Sequence, residues 1–285
     1  MSYQRRVGFE QSGVLLTEGI ARNIESPAAL VLCGGGSRGA LEVGFYRAVR
    51  ELGLPVDFVI GSSIGALNGA YIAAGMSPDE LTRLWLTFRR REAIRLNLRW
   101  LLEPWRRPGL FQLDFLREWL RRTLPVTRFE QLPIPLTIAT TDLQLGKAVH
   151  WHGAGDIIEP LMATVSLPGL FPPVEIDAHQ FVDGGIANNV PLDQALALGA
   201  AHILMIQCVC CDPFVKPLRG LIDVVARSFS VALDCKYAVD LERFSLAVQI
   251  HVVRPHFQRD VGLLDFRYSA DLIETAYKQT LEQFQ

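Results

Sequence analysis

The chain has 285 residues, 49% of them hydrophobic and 20% charged, with a formal net charge of −2. That length and apolar content fit one globular domain with a substantial core. The near-neutral charge provides no global positive field to hold a polyanion, so nucleic acid is set aside as a partner. Five cysteines at irregular positions are read as buried thiols in a reducing compartment rather than a disulfide framework.

Residues 1–27 form a mixed polar arm with no apolar leader behind its arginines. No later stretch reaches the run of about 18 uncharged apolar residues that a spanning helix needs. The expectation is a cytoplasmic protein, soluble or peripheral to the inner face of the membrane. From Ala28 a short aliphatic run stops at Gly34, Gly35 and Gly36 and reads as a buried strand entering a tight turn. Leu41, Phe45, Val49 and Leu52 then fall on one stripe of a helix closed by Gly53. A second apolar strand, Val56 to Ile60, enters another glycine-flanked turn and a helix of small residues ending near Gly75. This alternation predicts an α/β fold with a mainly parallel sheet covered by helices.

The texture changes at Ser77. Residues 77–130 read as an Arg/Trp-rich helical insertion or lid within a catalytic domain spanning 28–285. Between Arg83 and Arg128 twelve arginines stand against four acidic residues, and the segment holds four of the five tryptophans. Arginines attract anionic headgroups and indoles settle at wet apolar boundaries, so Arg89–Arg107 fits a peripheral contact with an anionic membrane. A solvated arginine face whose tryptophans belong to the core fits equally well. Strands resume over residues 133–143, 148–152, 180–185 and 201–209, and a final helix from Ser269 places Leu272, Ile273, Ala276, Tyr277 and Leu281 on one side.

Gly61-Ser62-Ser63-Ile64-Gly65 fits GxSxG between a strand and a helix. A sharp turn there lifts the middle serine out of the sheet, and the glycines two residues either side avoid collision with neighbouring backbone. Ser63 is the candidate nucleophile; Ser62 lacks symmetric flanks. Gly34-Gly35-Gly36-Ser37-Arg38-Gly39 ends the preceding strand, on the same sheet edge, where backbone N–H groups can face an oxyanion. The same letters satisfy the dinucleotide fingerprint, but the acid required about 20 residues on is misplaced, because Asp57 precedes the strand core. Among candidate bases, Asp183 stands at a strand end before two glycines, whereas of the six histidines only His251 and His256 follow the late strands and neither has a loop signature around it. Cys208-Val209-Cys210-Cys211 beside His202 suggests a metal cluster, but adjacent strand residues point to opposite faces, so no metal or cofactor is expected.

GGGSRG, GSSIG and DGG in this order resemble the patatin-like phospholipase family, over about residues 28–200 and including Ala163–Ile176, which is similar to the family's proline-containing loop. The resemblance implies a three-layer sandwich and a Ser–Asp dyad without catalytic histidine, acting on phospholipid or lysophospholipid esters. By position it makes Ser63 the nucleophile, Asp183 the base, Gly34, Gly35 and Gly36 with Arg38 the oxyanion loop, and Gly61 and Gly65 the elbow. A raised Asp183 pKa or a short contact to Ser63 follows from that assignment. Two rival readings are an α/β-hydrolase triad of Ser63, Asp183 or Asp212, and His256, and a non-catalytic lipid- or nucleotide-binding module. Transfer of the acyl group to an acceptor other than water is a further variant.

Overall fold

A computed structural model describes residues 24–88, 94–97, 109–208, 220–257, 259 and 261–285. The first aliphatic run forms β1 (Ala28–Leu32), buried along its whole length. The apolar stripe after the glycines forms α1 (Ala40–Glu51), with Leu41, Phe45 and Val49 inside. β2 (Phe58–Ser62) lies two residues further along than the apolar pattern predicts. Asp57 is used at the strand entrance instead, its Oδ2 accepting the Ala28 N–H at 2.7 Å. The strand therefore runs straight into the serine turn and α2 (Ile64–Ala73). α3 (Pro78–Thr87) starts at a capping box in which Ser77 accepts the Glu80 N–H and Glu80 accepts the Ser77 N–H.

Beyond α3 the described chain is not purely helical. β3 (Arg95–Leu96) and β4 (Phe111–Gln112) pair antiparallel before α4 (Asp114–Thr123). Most of Arg89–Arg107 lies outside the described residues. In the described part, arginines are largely paired: Arg117 with Asp114 and Glu159, Arg121 with Glu159, Arg122 with Glu118, and Arg128 with Glu130. Trp85 is buried and Trp119 packs edge-on against Tyr71 and Phe88, so these two tryptophans are core rather than surface residues.

The remaining elements are β5 (Leu136–Asp142), β6 (Lys147–Trp151), α5 (Ile158–Thr164), β7 (Val174–Ile176), β8 (His179–Asp183), α6 (Gly185–Asn188), α7 (Leu192–Ala197), β9 (His202–Ile206), α8 (Leu221–Phe244), β10 (Gln249–Val253) and α9 (Ser269–Phe284). Five strands, in the order β10, β9, β1, β2, β5, are parallel. Every residue of β1, β5 and β9 is buried, which requires cover on both faces. α1, α3 and α9 pack as one helical group and α7 with α8 as another, giving a mixed α/β architecture with a mainly parallel sheet flanked by helices. Among the described residues no helix is long and apolar enough to cross a membrane.

The far side of the sheet departs from the parallel expectation. β6 and β8 both run antiparallel to β5, and β7 continues beyond β8. The register fixes their sides. Ala139 pairs with Ser62 and His150, and Thr140 pairs with Asp183 and Val149. β6 therefore occupies one edge of β5, while β2 and β8 meet end to end along the other.

Candidate active site

That register brings two sequence-distant residues together. Ser63 follows the β2 residue paired with Ala139, and Asp183 ends β8 opposite Thr140, the next residue of β5. Ser63 Oγ donates to Asp183 Oδ2 at 2.7 Å. Ser63 sits at φ 54° and ψ −130°, outside the regions ordinary residues favour. Such a conformation costs about 1–3 kcal/mol and persists only where surrounding structure over-determines it. Here the Ser63 N–H donates to Thr164 Oγ1 at 2.8 Å, and Thr164 Oγ1 donates to the Ala139 carbonyl at 2.5 Å. Gly61 and Gly65 close the turn: a Cβ on Gly65 would come within 2.5 Å of the Leu32 carbonyl, and one on Gly61 equally near Ala66 Cα. Ser62 is fully buried, and its hydroxyl has no hydrogen-bond partner among the described residues.

Asp183 is enclosed. Its Oδ1 accepts the Gly185 N–H at 2.8 Å, its backbone N–H donates to Ser166 O, and its carbonyl accepts from Thr141 Oγ1. Burial pushes its carboxyl up from an ordinary 3.8 to about 6, against the hydrogen bonds from Ser63 and Gly185, which pull the other way. A rise of that size makes the carboxylate roughly 100-fold more avid for a proton than an exposed aspartate. Among the described residues no imidazole is hydrogen-bonded to Ser63 or Asp183. His256 is exposed and its backbone N–H binds Gln279, while Asp212 lies outside the described residues. His150 is the imidazole near this end of β8, 3.5 Å from Asn188 Nδ2, and burial holds it below its usual pKa.

The glycine loop lies beside Ser63. Its members differ in what they have left to offer. The Gly34 N–H donates to Asn189 Oδ1 at 3.1 Å, and the Ser37 N–H to Leu263 O at 2.8 Å. Arg38 Nε and Nη2 both donate to Val261 O, at 3.2 and 3.0 Å. The N–H groups of Gly35 and Gly36 have no acceptor among the described residues. Asn189 and Thr164 were given no role by sequence reasoning. The asparagine pair after DGG was visible, but its reach to the glycine loop is a contact across 155 positions of chain.

A strained serine hydrogen-bonded to a buried carboxylate, next to free backbone donors at a strand end, has the parts that serine-based acyl transfer requires. The description "Patatin-like phospholipase" belongs to the family model that matches residues 30–196, more than half of the chain, and the chain belongs to this family. An uncharacterized NTE family protein of Mycobacterium tuberculosis is 34% identical over 173 residues, covering 60% of this chain and 46% of that protein. The neuropathy target esterase sws of Drosophila melanogaster is 34% identical over 183 residues, 62% of this chain and 12% of that one. Mouse patatin-like phospholipase domain-containing protein 7 is 33% identical over 185 residues, 62% of this chain and 13% of that one. The matched region thus spans less than half the length of each of these relatives. Among solved structures, VipD from Legionella pneumophila superposes with a TM-score of 0.47 at 13% identity, over 90% of this chain and 66% of that one. The type III effector ExoU gives 0.44 at 16%, over 92% and 53%.

Proposed function

We propose that the chain is a lipid acyl hydrolase that cleaves phospholipid or lysophospholipid esters through an acyl-Ser63 intermediate. The observation that carries this reading is the 2.7 Å hydrogen bond from Ser63 Oγ to a buried carboxylate whose proton affinity is raised. In the first half-reaction Asp183 Oδ2 takes the Ser63 proton as Oγ attacks the acyl carbonyl. The same carboxyl then gives that proton to the departing alcohol or lysolipid oxygen. In the second, water gives its proton to Asp183 and its oxygen to the acyl carbon, and Ser63 leaves reprotonated. On this reading the Gly35 and Gly36 N–H groups, which have no acceptor among the described residues, and the N-terminal end of α2 receive the negative oxygen in both steps, each donor contributing about 3 kcal/mol in such sites. Gly34 serves instead as the anchor of the loop to Asn189, and Arg38 as its anchor to Val261.

Substrate reaches this dyad from a lipid surface, and the basic residues between Arg83 and Arg128 support contact with anionic headgroups. A fluorophosphonate probe is expected to label the wild-type chain at Ser63 and to leave Ser63→Ala unlabelled, with mass-spectrometric release of fatty acid from mixed phospholipids lost in parallel. Equal labelling of both proteins at another residue overturns the assignment.

A further inference from the structure

Away from the dyad the fold gathers three residues from separate elements: Cys33 just after β1, Glu42 in the first turn of α1, and Cys208 two residues past β9. All three are buried, and one donor atom from each lies within 4.8 Å of the others. Cys208 Sγ is 3.6 Å from Glu42 Oε1. That separation matches two ligands of one tetrahedral zinc, since bonds of about 2.3 Å to sulfur and 2.0 Å to oxygen set S and O about 3.5 Å apart.

The carboxyl is also oriented. Glu42 Oε2 accepts from Asn68 Nδ2 at 2.7 Å, and Asn68 Oδ1 accepts from Trp85 Nε1 at 2.8 Å. This relay leaves Oε1 facing the sulfurs, as outer hydrogen bonds aim a ligating carboxylate. Glu42 is wholly buried, and its hydrogen-bond partners among the described residues are Asn68 and Cys208 rather than a lysine or arginine. A small crevice lined by Cys33, Asn189, Gln207 and Asp234 borders the Cys33 side of the group. The sequence argued against a metal on Cys208, Cys210 and Cys211 because neighbouring cysteines diverge; the partners that converge on Cys208 come from β1 and α1.

We propose that Cys33, Glu42 and Cys208 form a binding site for a thiophilic divalent cation, zinc being the best match, with solvent as fourth ligand. Two S–H protons and any proton held by the Glu42 carboxyl pass to water as two sulfur–metal bonds and one oxygen–metal bond form, with no change of oxidation state. The cation pins the root of the glycine loop, because Cys33 immediately precedes Gly34. The proposal does not depend on the hydrolase reading.

The test uses the full chain, kept reduced with a phosphine and titrated with Co2+ as an optical probe. One equivalent is expected to produce a thiolate-to-cobalt charge-transfer band and strong tetrahedral d–d absorption, both abolished by Zn2+. Cys33→Ser and Cys208→Ser lose the band, while a Cys210→Ser/Cys211→Ser/Cys235→Ser chain keeps it; the reverse pattern overturns the site. Should a buried serine prevent folding, zinc-edge X-ray absorption of the unaltered chain decides. Two sulfurs at about 2.3 Å with oxygen or nitrogen neighbours are expected. No uptake, no sulfur, or three or more sulfurs overturns the proposal.

Discussion

Ser63 stands at φ 54° and is partly buried, whereas Asp183 ends an ordinary strand, is buried, and is followed by Gly184 at a relaxed φ of −61°. The serine turn stores backbone strain at a residue that is only partly buried, although its neighbours Gly61, Ser62 and Gly65 are buried. The acid turn has no strain and carries the burial that raises its carboxyl. On the proposed mechanism labour divides between them: one turn fixes where the oxygen points, and the other sets how strongly its proton is drawn.

Removing the base separates the two contributions most sharply. Asp183→Asn is expected to lower kcat by on the order of 10³-fold or more, with the serine turn intact, as measured in steady-state lipid hydrolysis. Because the carboxyl must be ionised to act, wild-type kcat/KM is expected to climb with pH and level off above about 6. The same shift works against stability. Native Asp183 holds its proton more tightly than the unfolded chain does, so the group costs nothing below the ordinary 3.8, and its cost grows as pH rises to about 6. At full ionisation the loss is about 3 kcal/mol. Denaturant unfolding at pH 4 and pH 7 is expected to show this loss in wild type and not in Asp183→Asn; identical pH dependence would place the carboxyl in a far wetter site.

Strain at the other turn predicts that Ser63→Gly unfolds at higher denaturant than Ser63→Ala, by about 2 kcal/mol, because glycine adopts φ 54° without penalty. Equal midpoints would mean that the turn is not strained. The smallest effect falls on the support. Thr164→Val leaves the Ser63 N–H and the Ala139 carbonyl unpaired and is expected to cost about 1 kcal/mol, with kcat reduced and the acid limb of the pH profile unmoved. A displaced limb would implicate Thr164 in the basicity of Asp183.

The parts of this arrangement that were legible in the sequence rest on local chemistry. The runs 28–32 and 202–206 are aliphatic enough to announce buried strands, and the Leu41, Phe45 and Val49 stripe announces its helix. Glycines at 61 and 65 mark the serine turn for a steric reason that the close approach to Leu32 and Ala66 bears out. What escaped is long-range. Nothing in HQFVD signals that β8 runs against β5, since strand direction depends on the connection before it, here β7 and a two-residue reversal through Asp177 and Ala178 at positive φ. α8 gave no helical stripe to read. The loop glycines look interchangeable as letters, and only Asn189 and the chain at 261–263 distinguish the anchored N–H groups from the free ones.

The end-to-end meeting of β2 and β8 has a consequence for how such a chain can diversify. Nucleophile and base are 120 positions apart, yet their spacing is dictated by Ala139 and Thr140, adjacent on a single strand. The polypeptide looping out between α2 and β5, and the parts of the stretch between β5 and residue 183 other than Thr164 and Ser166, can be lengthened, trimmed or exchanged without touching the supports of the proposed dyad. Adaptation to a new lipid is therefore expected to accumulate in those excursions, while the short rail beneath the dyad stays fixed.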